Sequence, residues 1–217
     1  MEWRLLSGLS EAEVERVLAS TRPADYRRGE VIFAAGDTGS TLHLLEVGHV
    51  ALRVPTESGE QVTLTIVAPG EAFGELALMR RSSLRSATAV ALDAVRTRVL
   101  RADAFRALVA EHPPVERLLV GILAARVNRL TTHLVDSLSL PVDQRVVRRL
   151  VEVSRVYARP DSSSVVVPLT QEDLAGLAGT TRPTVNSVLR RLEDSGVVSL
   201  GRGRVEVHDL ARLAASS

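Results

Sequence analysis

The stretch Phe73-Gly74-Glu75-Leu76-Ala77-Leu78, followed by Arg85-Ser86-Ala87-Thr88-Ala89, is the most informative part of this chain of 217 residues. Glycine lets the backbone approach a bulky anion, and backbone N–H groups in such a turn form an anion-binding nest. Arg85 offers a planar, charged fork for phosphate oxygens. Glu75 can accept a hydrogen bond from a ribose hydroxyl, and Ser86 can donate one to phosphate. A cyclic nucleotide would need these groups, whereas an isolated glutamate–arginine pair would be read as a solvated ion pair on a loop.

Short alternating apolar runs surround this stretch between Asp25 and Arg101. Many short, evenly spaced strands with glycines at the turns indicate a closed antiparallel roll. The step from Gly74 to Arg85 fits the end of a strand, a short helical turn and the return to the next strand. The runs predicted as strands are 31–33, 42–45, 50–54, 62–67, 87–90 and 95–100, and residues 11–19 are predicted as a helix capped by Ser10.

A long helical segment follows over residues 113–138 and is opened by Pro113-Pro114. It carries two adjacent stripes of apolar or small residues, so we expect two packing partners. We predict that the first stripe packs against the roll of its own chain and the second against the same helix of a second chain. A single broad core face within a monomer is the alternative. The first stripe is Val120, Leu123, Val127, Leu130 and Leu134, and the second is Gly121, Ala124, Asn128, Thr131, Val135 and Leu138.

The C-terminal part has the pattern of a helix-turn-helix followed by a hairpin. Ser139-Leu140-Pro141 breaks the long helix and is the expected hinge, after which Asp143 can cap a new helix. Thr170 then begins a helix with a capping-box-like start, and Gly179-Thr180 supplies the turn. The next helix is predicted to start after Thr181 and to direct Val185, Val188, Leu189 and Leu192 inward, and residues 197–207 are predicted to form a hairpin wing.

Residues 182–204 contain five arginines against Glu193 and Asp194, a local positive excess that the net charge of +1 conceals. Arginines on an exposed helix face and at a hairpin tip would contact phosphates or guanine edges. A solvated cationic face is the alternative for lone arginines. The residues predicted to bind DNA are Thr170, Gln171, Arg182, Thr184, Ser187, Arg190, Arg191 and Arg202.

These two motifs resemble those of the cyclic AMP receptor protein and FNR (CRP/FNR) family of bacterial transcription regulators, from about Leu9 to about Val207. The resemblance implies an α+β fold with a cyclic-nucleotide-binding antiparallel β-roll (jelly roll) at residues 1–112. A dimerisation helix at 113–138 and a winged helix-turn-helix DNA-binding domain at 139–217 would follow. It also implies a homodimer that binds two-fold symmetric double-stranded DNA, contacts RNA polymerase and is allosterically controlled by cyclic AMP.

The resemblance also assigns residues to roles. Cyclic AMP would be bound by Thr131 of one subunit, Thr132 of its partner, and a cassette formed by Gly74, Glu75, Leu76, Ala77, Arg85 and Ser86. Arg182 falls where the family has its guanine-reading arginine. Pro183 and Ser187 depart from the usual glutamate and arginine at the other reading positions, so an altered half-site is expected. Arg80 and Arg81, in a loop that is often acidic in the family, leave open another anionic effector or action without ligand.

Composition excludes several other classes. The chain has no cysteine, which rules out disulfides, thiolate-ligated iron–sulfur clusters and cysteine-ligated haem. The five histidines lack metal-site spacing, and no nucleophile–base or metal constellation indicates an enzyme. There is no signal-peptide pattern and no apolar run approaching the ~18 residues of a membrane span, so we expect a cytoplasmic protein without a membrane partner.

Overall fold

The computed structural model describes residues 3–57, 59, 61–79, 83–158 and 164–216. It divides into two compact units, of which the first comprises residues 1–54 and 65–130 and the second residues 55–64 and 131–217. Arg80 and Arg81 lie outside the described residues, as do residues 159–163 of the polar loop that the sequence predicts at residues 159–164.

The first unit is the predicted antiparallel β-roll. Among the described residues its strands form two four-stranded sheets, in the orders β1-β8-β3-β6 and β2-β7-β4-β5. A buried cluster around Leu45, Val50 and Phe73 fills the roll. The strands are β1 (Arg22–Tyr26), β2 (Val31–Phe33), β3 (Thr41–Val47), β4 (Val50–Pro55), β5 (Gln61–Val67), β6 (Ala72–Phe73), β7 (Thr88–Ala91) and β8 (Val95–Arg101).

Helices cover one side of this roll around a second buried cluster that includes Trp3, Phe105 and Val115. The predicted cap of the first helix is confirmed, because Ser10 and Glu13 form a reciprocal capping box. The helices are a 3₁₀ turn (Arg4–Leu6), α1 (Glu11–Ala19), α2 (Leu76–Met79), α3 (Ala102–Glu111) and α4 (Pro113–Ser139).

The sequence pattern did not reveal β1, β6 or α3. β1 reads Arg-Pro-Ala-Asp-Tyr at the edge of its sheet, where half-exposed strands need no apolar alternation. β6 has only two residues. α3 buries Phe105 and Leu108, three residues apart, which is too short a pattern to distinguish from the preceding strand.

The long helix α4 is confirmed, but the prediction for its inward face is wrong. The residues that pack on the roll are Val115, Leu119, Ile122 and Leu123, whereas Val120, Val127, Leu130 and Leu134 of the predicted inward stripe are exposed. The physical reason is that the inward face continues with Arg126 and Arg129, whose guanidinium groups hydrogen-bond into the roll. A search for apolar periodicity therefore follows the wrong side of the helix.

The opposite face of α4 is apolar and exposed. Val120, Val127, Leu134 and Leu138 are 57%, 60%, 58% and 81% exposed, and the whole second stripe is exposed as well. Within the described part of the chain, α4 is also the helix long and apolar enough, by length and composition, to cross a membrane. Such composition is weak evidence for a span, because an association helix has it too, and Arg126 forms an ion pair within its own unit.

The second unit contains the predicted winged helix-turn-helix. Its sheet has the order β10-β11-β9, and the side chains of Val185, Val188, Leu189 and Leu192 are buried as predicted. Asp143 is not a cap, because α5 begins after Pro141 and Asp143 is its second residue. The elements are α5 (Val142–Tyr157), β9 (Val165–Val167), α6 (Gln171–Ala178), α7 (Arg182–Asp194), β10 (Val198–Gly201), β11 (Arg204–Val207) and α8 (Leu210–Ala215).

The second unit also includes residues 55–64, the connection between β4 and β5 together with the start of β5. Gln61 and Thr63 pack against α6 at Gly176. A Cβ atom on Gly176 would lie 2.7 Å from the carbonyl oxygen of Gln61 and 3.2 Å from Oγ1 of Thr63. Glycine therefore permits a backbone approach that a larger residue at this position would prevent.

Candidate ligand pocket and nucleic-acid interface

Arg85 lies buried in the first unit with only 6% of its surface exposed. Its Nη1 donates to the carbonyl of Gly74 at 2.9 Å, and its Nη2 donates to Oγ1 of Thr41 at 2.8 Å. The guanidinium carbon lies 4.0 Å from the centroid of the Phe33 ring, a cation–π contact. Burial lowers the pKa of Arg85, while the charges of Glu75 and Asp37 oppose that shift. An arginine nevertheless keeps its charge, so the fold holds a buried cation here.

Two glycines make room for this arginine. Gly74 has φ +89°, and a Cβ atom there would lie 2.6 Å from Nη1 of Arg85. A Cβ atom on Gly39 would lie 2.4 Å from Cβ of Ala77 and 2.9 Å from Nε of Arg85. Gly74, which the sequence predicts to let a ligand approach the backbone, thus also makes room for the guanidinium group of Arg85.

Glu75 is the second buried charge of this region, with 2% exposure. Its Oε1 accepts a hydrogen bond from Nη1 of Arg126 at 2.5 Å, and Nη2 of Arg126 donates to the carbonyl of Ala72 at 2.6 Å. Sequence reasoning missed Arg126. The available signal was its place on the true inward stripe of α4, where it follows Val115, Leu119 and Ile122 at steps of four, three and four residues.

The six cassette residues predicted from the sequence surround one cavity of ≈ 40 Å³. That volume suits a few water molecules and is smaller than that of a typical ligand pocket. Thr131 and Thr132 are exposed on α4 and are not among the residues that line the cavity. The lining residues are Phe33, Leu52, Gly74, Glu75, Leu76, Ala77, Arg85, Ser86, Ala87 and Arg126.

Two buried polar atoms of this lining have no hydrogen-bond partner within the described residues, Oε2 of Glu75 and Nε of Arg85. Such groups are costly in a protein interior, and they are rare unless a ligand or water satisfies them. An acceptor and a charged donor are the groups that a ribose hydroxyl and a phosphate would pair with. The cavity therefore fits a cyclic nucleotide in the chemistry of its polar atoms.

A buried imidazole lies next to this pocket. His43 stacks on Phe73 with ring centroids 5.0 Å apart, and burial, with smaller contributions from Arg85 and Arg22, lowers its pKa to about 3. The folded protein therefore holds His43 in its neutral form at any pH above about 3. Over the described part of the chain no group of three or more acidic or histidine side chains has the geometry of a metal site.

This depressed pKa predicts a loss of stability in acid. As the pH falls from the ordinary histidine pKa of 6.5 towards about 3, His43 binds a proton in the unfolded chain but stays neutral in the folded protein. The free energy of unfolding should therefore fall by about 1.4 kcal/mol per pH unit over that window from this residue. Urea unfolding at several pH values should show a shallower decline for His43→Gln. Equal slopes in His43→Gln and the wild type would contradict the assignment.

The candidate nucleic-acid interface lies in the second unit. Arg182, Ser187, Arg190 and Arg191 are exposed on α7, as predicted, and Thr184 is half-buried with its hydroxyl 3.0 Å from that of Thr181. A concave surface of ≈ 540 Å³ lies between the starts of α6 and α7 and the β10–β11 hairpin. Four of the predicted DNA-binding residues line it, namely Thr170, Gln171, Arg182 and Arg202.

Some of these side chains already have partners. Thr170 caps α6 by accepting a hydrogen bond from the backbone N–H of Asp173 at 3.1 Å. Gln171 donates to Asn186 at 3.0 Å, and Arg191 donates to Asp143 at 2.5 Å. Arg182, Arg190 and Arg202 form no ion pair with the rest of the described chain. Among the arginines predicted to bind DNA, Arg182, Arg190 and Arg202 are therefore the most readily available to a polyanion.

The two units match two families of domains. Residues 23–112 match the cyclic nucleotide-binding domain, and residues 144–216 match the Crp-like helix-turn-helix domain. The chain is 36% identical over 210 residues to the cyclic AMP receptor protein of Thermus thermophilus, covering 96% of this chain and 94% of that protein. It is 29% identical over 212 residues to the CRP-like cAMP-activated global transcriptional regulator of Mycobacterium tuberculosis, covering 97% and 94%.

The fold is also that of a solved regulator. The c-di-GMP-responsive global regulator CLP of Xanthomonas campestris superposes with a TM-score of 0.80 at 21% identity, covering 92% of this chain and 99% of that one. A sensor domain joined to a DNA-reading domain defines a class of transcription regulators. The chain belongs to the CRP/FNR family within that class, and the family is not enzymatic.

Proposed function

We propose that this regulator acts as a homodimer whose DNA binding is controlled by cyclic AMP bound in the roll of each subunit. The observation that carries this proposal is the buried Arg85, which has no carboxylate within 4.0 Å among the described residues and a partnerless Nε. A buried cation without a contacting anion is unfavourable, and a phosphate would supply that anion. The names of the Thermus and Mycobacterium relatives support cyclic AMP as its source.

Each cassette residue has a part in this proposal. Arg85 and Ser86 would hold the phosphate, helped by the backbone N–H groups of Leu76 and Ala77 at the start of α2. Glu75 would accept the ribose hydroxyl on Oε2 while Arg126 holds its other oxygen. Binding at an already oriented carboxylate costs less side-chain entropy, so the ion pair with Arg126 prepares Glu75 for the sugar.

The exposed face of α4 supports the homodimer. Val120, Ala124, Val127, Thr131, Leu134 and Leu138 recur at alternating steps of four and three residues and are all exposed. That spacing is the seam of a two-stranded coiled coil, and a second copy of the same helix would bury it. The seam would place Thr131 at the dimer axis, consistent with the proposed contact of Thr131 and the partner chain's threonine at position 132 with adenine.

In such a dimer the two copies of α7 would enter successive major grooves of DNA about one helical turn apart. Cyclic AMP would act by its higher affinity for the dimer arrangement in which the two reading helices have that spacing. Arg182 would read a base edge, and Arg190 and Arg202 would contact phosphates. Contact with RNA polymerase stays a prediction from the family.

Calorimetric titration of the purified nucleotide-free protein with cyclic AMP tests the effector, with cyclic GMP and cyclic di-GMP as comparisons. We expect selective binding of cyclic AMP at one site per chain, and then tighter binding of selected DNA sites when cyclic AMP is present. Selective binding of a different nucleotide would replace cyclic AMP as the effector. A folded dimer that binds none of the three, and binds DNA equally well without them, would establish ligand-independent action.

The Arg182→Ala variant tests direct readout. We expect specific DNA binding to weaken by ~1–3 kcal/mol, with little change in nonspecific binding, because a lost base contact carries sequence information. Fluorescence anisotropy with the selected site and with a scrambled duplex of equal length measures both. Arg202→Ala serves as the comparison, since loss of a phosphate contact should weaken both complexes equally. An equal loss for Arg182→Ala on both duplexes would make Arg182 a phosphate contact.

A further inference from the structure

Thr41 links the buried arginine to a histidine that the proposed function does not use. The Thr41 hydroxyl accepts a hydrogen bond from Nη2 of Arg85 at 2.8 Å and lies 3.2 Å from Nε2 of His43. A guanidinium has only donors, so the oxygen of Thr41 must be the acceptor in the first contact. Its own proton is then available for the imidazole. A hydroxyl oxygen has two acceptor lone pairs, so Thr41 can either donate this proton to Nε2 or accept a hydrogen bond from it, and in both cases the imidazole orients the hydroxyl.

His43 has a hydroxyl partner at each ring nitrogen. Nε2 lies 3.2 Å from the hydroxyl of Thr41, and Nδ1 lies 3.4 Å from the hydroxyl of Thr97. Either neutral tautomer satisfies both contacts, because a hydroxyl can donate or accept. Thr97 is fully buried and His43 is 5% exposed, so water cannot easily replace either partner. The low pKa of His43 keeps its ring neutral beside the Arg85 cation near neutral pH.

Aromatic packing connects His43 to the same arginine by a second route. The His43 ring stacks on Phe73, the residue directly before Gly74, whose carbonyl accepts from Nη1 of Arg85. His43 and Phe73 are also paired neighbours in the register of β3 and β6. The ring centroid of Phe33 lies 5.7 Å from that of His43, and Phe33 is the ring that contacts the guanidinium. His43 thus contacts Thr41, which hydrogen-bonds Arg85, and Phe73, which directly precedes the Gly74 carbonyl that also hydrogen-bonds Arg85.

We propose that Thr41 and His43 are positioning residues of the nucleotide pocket, which hold the Arg85 guanidinium so that its Nε edge remains available to an anionic phosphate. This role rests on the proposed function and adds to it two residues outside the cassette. The two anchoring hydrogen bonds use one N–H of Nη1 and one of Nη2, while Nε has no partner among the described residues. A fork held in place loses less freedom when phosphate binds.

The binding test compares two substitutions that separate the hydroxyl group of Thr41 from its methyl group. Thr41→Val removes the hydroxyl and keeps the branched shape, whereas Thr41→Ser keeps the hydroxyl. We expect calorimetry to show about tenfold or more weaker cyclic AMP binding for Thr41→Val, because a hydrogen bond to a charged group is lost. Thr41→Ser should bind within about threefold of the wild type. The control Thr21→Val removes a hydroxyl of the same unit that donates to Leu18 instead, and should bind as the wild type does.

Unchanged or tighter binding by a folded Thr41→Val protein would overturn the proposal, since Thr41 would then be neutral or a competitor of the phosphate. Equal weakening in Thr21→Val would reduce the effect to general destabilisation. Thermal unfolding of each variant shows whether the fold is intact.

A second measurement needs no nucleotide. Nitrogen-15 NMR of the wild type at neutral pH should show a neutral His43 ring and slowly exchanging Nη signals of Arg85. Those Arg85 signals should broaden in Thr41→Val and persist in Thr41→Ser. If the wild type binds no cyclic nucleotide, the proposed function fails while these signals still decide the positioning role. A charged His43 ring at neutral pH, or Arg85 signals that do not respond to Thr41→Val, would overturn it.

Discussion

Arg85→Ala is expected to abolish nucleotide binding, the largest effect of any single change in the pocket. The substitution removes the buried cation that faces the cavity, and with it the two or more charged hydrogen bonds that a phosphate would receive. At ~1.5–3 kcal/mol for each such bond, we expect binding to weaken by more than about 100-fold. Calorimetry with cyclic AMP, at protein concentrations high enough to detect weak binding, measures this loss.

The matched control for this change is Arg85→Lys, which keeps the charge but not the planar fork. We expect intermediate affinity, because an ammonium group can attract the phosphate but cannot also reach Gly74 and Thr41 in the same geometry. Circular dichroism and thermal unfolding establish that both variants retain the roll. Nucleotide affinity equal to wild type in a folded Arg85→Ala protein would remove Arg85 from the pocket and would end the cyclic AMP proposal as stated.

Leu134→Glu is expected to dissociate the dimer and to cost most of the specific DNA affinity. Leu134 is 58% exposed on the apolar face of α4, so the single chain should tolerate the substitution. In a parallel two-stranded seam the two glutamates would face each other, and like charges in a buried seam are strongly unfavourable. A monomer can engage only one half-site, and losing the second simultaneous contact should weaken binding by about 10²–10⁴-fold.

Sedimentation equilibrium measures the association state, and anisotropy with a full site and an isolated half-site measures the DNA affinity. Ala125→Glu is the control, because it adds the same charge at an exposed position of α4 outside the alternating four-three series. We expect that variant to remain dimeric and to bind the full site as the wild type does. A Leu134→Glu protein that is still dimeric would place the subunit interface elsewhere than this face of α4.

Local signals made the roll and the helix-turn-helix predictable. Alternating runs specify strands such as β8, and the capping boxes at Ser10 and Thr170 fix the starts of α1 and α6 from residues within one turn. The cassette was predictable for the same reason, since its glycine, carboxylate and guanidinium are close together in the chain. The cavity brings together all six of these residues.

Long-range partners were not predictable. Arg126 reaches Glu75 from 51 residues away, and its place on the inward stripe of α4 becomes a signal only once that stripe is known. Because such arginines continue the inward face, the apolar pattern placed that face on the exposed side of the helix. Arg191 likewise reads as a free basic residue, yet it donates to Asp143 in a different helix, 48 residues away. Polar contacts between distant segments carry no periodicity by which a sequence can reveal them.

The packing of residues 61–63 against Gly176 has a consequence for how this protein can be taken apart and how its lineage could have been assembled. The second unit is not a continuous stretch, so a cut before Thr131 would leave α6 without the carbonyl of Gln61 and the hydroxyl of Thr63. If two related chains recombined just before Thr131, the β4–β5 hairpin of one chain would have to pack against the α6 of the other. Only partners with a glycine at the position of Gly176, or with a hairpin that stands further off, would be interchangeable.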